Sequence, residues 1–188
     1  MKKILQLFFA KLTYWLKQLF SAPLSPEAPC PVQPNERSPE SEMYKRLKAF
    51  IEAHRGQRVG GGSCVKLYRK HIKDVWKLRP LEGLGADGGA EGLFTRYESD
   101  VGPLSRQFLE RIAFDGTNLP QPGDAVIYSS NDNNRWGHVG IFVEPAAVAE
   151  NLVIYDQHGF GSQAKEGAQI RTRSVEGLLG WLRKREDC

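Results

Sequence analysis

The spacing of apolar positions changes character several times along the chain. Over residues 1–20, a 100° step per residue gathers Ile4, Leu5, Phe8, Phe9, Leu12, Trp15, Leu16, Leu19 and Phe20 on one side of a helix. Lys2, Lys3, Lys11, Lys17, Gln6, Thr13 and Gln18 occupy the other side, with Leu7 and Tyr14 as exceptions. Residues 21–40 lose all period and carry Pro23, Pro26, Pro29, Pro31, Pro34 and Pro39, which predicts an extended linker. Helical spacing returns from Ser41, with Met43, Leu47, Phe50 and Ile51 on one face of a helix that Gly56 ends near residue 55. A second helix is expected over 63–77, striped by Val65, Tyr68, Ile72 and Trp76. The Gly-rich stretch 81–92 reads as a loop, and residues 104–112 as a shorter helix after Gly102-Pro103.

Beyond residue 120 the pattern becomes that of strands. Runs of β-branched and aromatic residues predict strands at 124–128, 138–143 and 152–155, with SSNDNNRWG turning between the first two. A further strand is expected over 169–173 and a last helix over 175–183. Helices first and strands after predict one α+β domain over 41–188, its helices packed on an antiparallel sheet.

Composition narrows the reading. With 188 residues, 40% hydrophobic and 26% charged, the chain can bury a core and is neither disordered nor a multi-spanning membrane protein. The net charge of +4 permits an anionic partner. The globular part is close to charge balance and has no clustered basic and aromatic face, so nucleic acid is not expected as a partner. Nothing in the pattern calls for a second copy, and a monomer is expected.

The basic face of residues 1–20 opposite Trp, Phe and Leu suits a helix lying in an anionic membrane surface, and Lys11 and Lys17 argue against spanning. Docking on a protein surface also fits. A signal peptide fits less well, because Lys11 interrupts the apolar run and no small-residue cleavage site follows.

Three cysteines, Cys30, Cys64 and Cys188, imply no disulfide framework, and four scattered histidines give no standard metal motif, so no cofactor is implied. Cys30, in the linker, receives no chemistry, and Cys188, at the last position, reads as a terminal thiol able to link two chains on oxidation, without a role in catalysis. His54 and His71, among Lys and Arg on the expected helices, read as solvent-facing. Cys64 differs from the other cysteines. It falls at a helix N-terminus, where free N–H groups favour a thiolate, and follows Gly60-Gly61-Gly62, which let backbone approach a substrate. An apolar buried cysteine is the competing reading. His138 opens a strand after Gly137 and shares its face with Gly140, which leaves room beside it. Asp156 and His158 end the next strand on a common face, so both can approach His138 if the two strands are neighbours. Turn chemistry is the ordinary explanation of such a polar pair.

In GGGSCVKLY, LPQPGDAVIY, GHVGIFVE and IYDQHG, in that order, the chain resembles the CHAP family of cysteine- and histidine-dependent amidohydrolases and peptidases. The resemblance spans residues 60–158. It implies a papain-like α+β fold, Cys64 as nucleophile, His138 as general base and acid, and Asp156 as the acid orienting it. The family often has Asn two positions after that acid; this chain has His158, which can still offer a hydrogen bond. Peptidoglycan is the implied substrate, cut at an amide bond by an amidase or endopeptidase at the cell envelope, as in a phage lysin or a secreted antibacterial effector. Two other readings compete with this one. One is a Cys-His amidase or acyltransferase on a small conjugate. The other is non-enzymatic: a membrane-tethered binding module, or a metal site made of Cys64, His138, Asp156 and His158.

Overall fold

The computed structural model describes residues 41–78, 89–100, 103–147, 150–159 and 162–185. The expected amphipathic helix, the Pro-rich linker, Cys30 and Cys188 lie outside these residues. Among the described residues no helix is long and apolar enough to cross a membrane.

The first helix, α1 (Glu42–His54), starts where the sequence signals it. Ser41 Oγ accepts from the Tyr44 N–H at 3.2 Å, Glu42 favours the positive helix end, and Leu47, Phe50 and Ile51 are buried. A single 3-10 turn, Val59–Gly61, leads into α2 (Cys64–Asp74), which Ser63 caps by accepting from the Lys66 N–H. Leu67, Tyr68 and Ile72 bury one side of α2. Three short helices follow: α3 (Gly89–Thr95), α4 (Tyr97–Asp100) and α5 (Pro103–Phe108).

Six strands then form one antiparallel sheet: β1 (Leu109–Ala113), β2 (Ala125–Tyr128), β3 (His138–Pro145), β4 (Asn151–Asp156), β5 (Gln169–Ser174) and β6 (Leu178–Lys184). Their spatial order is β1-β6-β2-β3-β4-β5, so the chain's last strand inserts beside β2. Leu47, Leu67, Tyr68, Ile72 and Leu93 from the helices join Ala125, Ile127, Val139, Ile141, Tyr155 and Leu182 in the main core. Val126, Phe142, Leu152, Ile154 and Trp181 form a second apolar cluster. Strand alternation divides the residues between the two. The architecture is the expected α+β arrangement of helices on an antiparallel sheet.

Several expectations are corrected. In the segment 175–183 no helix forms; from Leu178 on it is strand β6 (Leu178–Lys184). Its apolar run Leu178, Leu179, Trp181 and Leu182 suits a helix by spacing, but a strand between two others is buried on both faces and needs the same run. Gly180 allows the close pairing, since a Cβ there would stand 2.1 Å from the Ile112 carbonyl oxygen. The helix expected over 104–112 stops at Phe108, and β1 begins at Leu109 because β6 offers it a full ladder. In the expected loop, Gly89–Gly92 is helical. The N–H groups of Ala90 and Glu91 donate to the Trp136 carbonyl at 2.8 and 3.1 Å, so the cap comes from a distant loop. His71 is fully buried, not solvent-facing, and its Nε2 donates to the Gly123 carbonyl at 2.9 Å, while His54 stays partly exposed. Gly140 does not make room for His138; Ile154 Cδ1 fills that space, 2.6 Å from where a Cβ would sit.

Candidate active site

Cys64 is the first residue of α2, and the 3-10 turn before it presents backbone rather than side chains because Gly60, Gly61 and Gly62 all take positive φ. The side chain is partly buried, and its sulfur accepts the backbone N–H groups of Val139 and Val65. Burial pushes the thiol pKa up, with the Asp156 charge adding to it, against these N–H bonds. Cys64 is the free cysteine among the described residues.

His138 is the first residue of β3, entered through Gly137 at φ +67°. A Cβ on Gly137 would meet the Tyr128 carbonyl oxygen at 2.6 Å and Glu91 Cβ at 2.8 Å, so only glycine lets the chain turn into the strand here. The imidazole is buried, and Nε2 lies 2.8 Å from Asp156 Oδ2. A carboxylate can only accept, so Nε2 carries the proton and Nδ1 carries the lone pair. Burial lowers the His138 pKa, outweighing the opposing effect of Asp156.

Asp156 closes β4 and is fully buried. Besides His138, it binds Arg171 Nη1 through Oδ1 at 2.5 Å and Arg173 Nε through Oδ2 at 2.8 Å. Burial opposes its charge, yet bonding to His138, the approach of His158 and the Arg173 charge hold the carboxyl well below the usual range. With His138 neutral, the two guanidiniums, charged at every pH, sustain that direction.

His158 stacks on His138 with ring centroids 4.7 Å apart and planes 15° from parallel. Its Nε2 is 3.6 Å from Asp156 Oδ2, too far for a hydrogen bond, and touches Arg173 Nη2 instead. Arginine only donates, so His158 Nε2 is the acceptor in this contact. His158 thus holds Arg173 against the carboxylate rather than bonding to His138 itself.

The residue between the two acts as a latch. Gln157 is buried; its Oε1 accepts the Val59 N–H at 3.0 Å, and its Nε2 donates to the carbonyls of Val59 at 2.8 Å and Ser63 at 2.7 Å. One side chain therefore ties the end of β4 to the turn that presents Cys64. Gln157→Leu removes three hydrogen bonds, at roughly 1 kcal/mol each; it leaves the Val59 N–H unpaired, while the Val59 and Ser63 carbonyls keep the N–H groups of Gly62, Lys66 and Leu67. Calorimetry should show thermal unfolding about 5 °C lower or more, and an unchanged midpoint would contradict the latch.

Cys64, His138 and His158 line one cavity of about 560 Å³, together with Lys66, Arg69 and Trp136. Three of the four candidate residues of the sequence reading thus line this cavity, and the fourth, Asp156, is joined to it through its 2.8 Å hydrogen bond with His138. Sequence reasoning missed Arg171, Arg173 and the bonding role of Gln157. The alternation in QIRTRS places Arg171 and Arg173 on one face, but only the β4–β5 register, Ile154 opposite Arg171 and Leu152 opposite Arg173, aims them at Asp156.

His138, Asp156 and His158 offer donor atoms within 4.8 Å of one another, a spacing a metal ion could use. The donor set does not fit one. Both Asp156 oxygens and His158 Nε2 already receive guanidinium N–H groups, and two fixed positive charges oppose a cation.

No family model matches the chain, and no curated protein matches it. Solved structures do. The crystal structure of a wild-type endolysin, LysIME-EF1, is similar at a TM-score of 0.56 and 20% identity, over 76% of this chain and 63% of that one. Ly7917 with the hydrolyzing product of MDP is similar at 0.52 and 16%, over 77% and 63%, and a second Ly7917 structure at 0.50 and 15%, over 74% and 61%. The chain spans less than two thirds of the length of each. What is shared at these identities is the fold, helices on an antiparallel sheet.

Proposed function

We propose that the protein is a peptidoglycan hydrolase of the CHAP type, cutting an amide bond with Cys64 as nucleophile, His138 as general base and acid, and Asp156 orienting His138. The observation that carries the reading is that Cys64 and His138 line one cavity, with the thiol at a helix N-terminus and the imidazole fixed by the buried Asp156 carboxylate. The endolysin-like fold supports the choice of substrate.

In this mechanism thiol and imidazole start uncharged. The Cys64 proton passes to His138 Nδ1 as sulfur bonds to the amide carbon, and the carbonyl oxygen becomes an oxyanion within reach of the Cys64 backbone N–H. His138 then protonates the leaving nitrogen, the C–N bond breaks, and a thioester remains. Water, deprotonated by His138, attacks the thioester and releases the acid and the thiol. Residues 1–20 belong to the same proposal, as a device that holds the enzyme at an anionic membrane surface of the envelope.

Digestion of purified peptidoglycan with mass analysis of the fragments tests the reading. Release of fragments ending in a new amine and a new carboxyl is expected, and their masses name the bond. Intact walls of several chemotypes after reducing incubation would refute the activity.

A further inference from the structure

Lys66 sits in the first turn of α2, which carries no acidic residue. A cation is unfavourable at that helix end, and a Glu at this place would complete a capping box with Ser63. The chain puts an exposed lysine there, lining the cavity. Gly60 makes way for its stem, since a Cβ at Gly60 would stand 3.0 Å from Lys66 Cβ and 3.7 Å from Cδ. Arg69 follows three positions on, on the same side of the helix. Both line the cavity of Cys64 and His138, and among the described residues no acidic residue lines it.

Another part of the lining is aromatic. Trp136 is 46% exposed, while its carbonyl accepts the Ala90 and Glu91 N–H groups in the first turn of α3. Gly89 lets that helix start against it, since a Cβ on Gly89 would be 2.5 Å from the Trp136 oxygen. The cavity thus joins a cationic wall, an aromatic surface and a nucleophile.

We infer that this cavity selects anionic acyl donors, with Lys66, aided by Arg69, holding a substrate carboxylate and Trp136 covering the apolar part of the same ligand. This deepens the hydrolase reading and rests on it for the substrate class: a stem peptide whose glutamyl α-carboxylate is free rather than amidated.

Two probes test it, an N-acetylmuramoyl-L-alanyl-γ-D-glutamyl peptide with a free α-carboxylate and its α-carboxamide. Calorimetric titration of the full-length Cys64→Ala protein should show about tenfold tighter binding of the carboxylate form, narrowing as salt is raised. Adding Lys66→Gln should weaken only the carboxylate probe and remove most of the preference, whereas adding Trp136→Ala should weaken both probes alike. Equal affinity for the two probes, no binding of either, or an equal loss of both in Lys66→Gln overturns the carboxylate site. Wild-type hydrolysis is assayed with the same probes and with whole walls. Hydrolysis absent while the preference stands refutes the enzyme and leaves the site; hydrolysis without preference does the reverse.

Discussion

Cys64→Ala should reduce release of peptidoglycan fragments by at least about 10³-fold, to background, because among the described residues no other thiol can form the thioester. The substitution removes one sulfur from a partly buried position, so thermal unfolding should move by no more than about 2 °C. Activity retained in a folded Cys64→Ala protein would transfer the chemistry to another residue and end the cysteine mechanism.

The same thiol reports how the pair starts. Burial raises the Cys64 pKa and lowers that of His138, so both groups favour their uncharged forms near neutral pH. Iodoacetamide labelling of Cys64 should therefore accelerate through a midpoint above that of an ordinary cysteine. Hydrolysis needs His138 as a base, and a lowered pKa keeps it unprotonated until below the ordinary histidine range. The value of kcat/KM should hold as pH falls from 7 to that range and decline only below it. A labelling midpoint under pH 7 would mean a preformed thiolate and imidazolium instead.

Much of this site was legible because its parts obey local rules. Ser41 and Ser63 cap the two long helices at the positions where the sequence starts them, and the strand positions of His138 and Asp156 put both at one end of neighbouring strands. What stayed hidden depends on tertiary partners. The cap of α3 is a carbonyl from residue 136, and β6 reads as strand only once β1 and β2 flank it. Gly140 looked like space for a catalytic ring until Ile154 was seen to fill it. His71, among Lys and Arg, looked exposed because its acceptor, the Gly123 carbonyl, lies 52 positions away. The arginines under Asp156 escaped for the same reason: alternation assigns them a face, and only strand order says which carboxylate that face meets.

Those arginines make Asp156→Asn the second large effect. An amide offers one acceptor where His138, Arg171 and Arg173 now share two, and it leaves two guanidiniums without the charge they surround. Removing one partner of a buried ion pair costs about 3 kcal/mol, and loss of the imidazole's orienting acid costs roughly 10²- to 10⁴-fold in kcat/KM. The stability loss should depend on pH with a definite sign. The folded carboxyl is held well below its unfolded value of about 3.9, so its contribution is complete above that value and disappears as pH falls through the folded pKa. Denaturation curves of wild type and Asp156→Asn should therefore lie furthest apart at neutral pH and converge below about pH 4. The kinetic readout is separate: without the carboxylate nothing offsets burial of His138, so the acid limb of kcat/KM should move to still lower pH. A gap that persists undiminished into acid would show that shape rather than charge at residue 156 holds the site together, and an unmoved acid limb would place the catalytic base elsewhere.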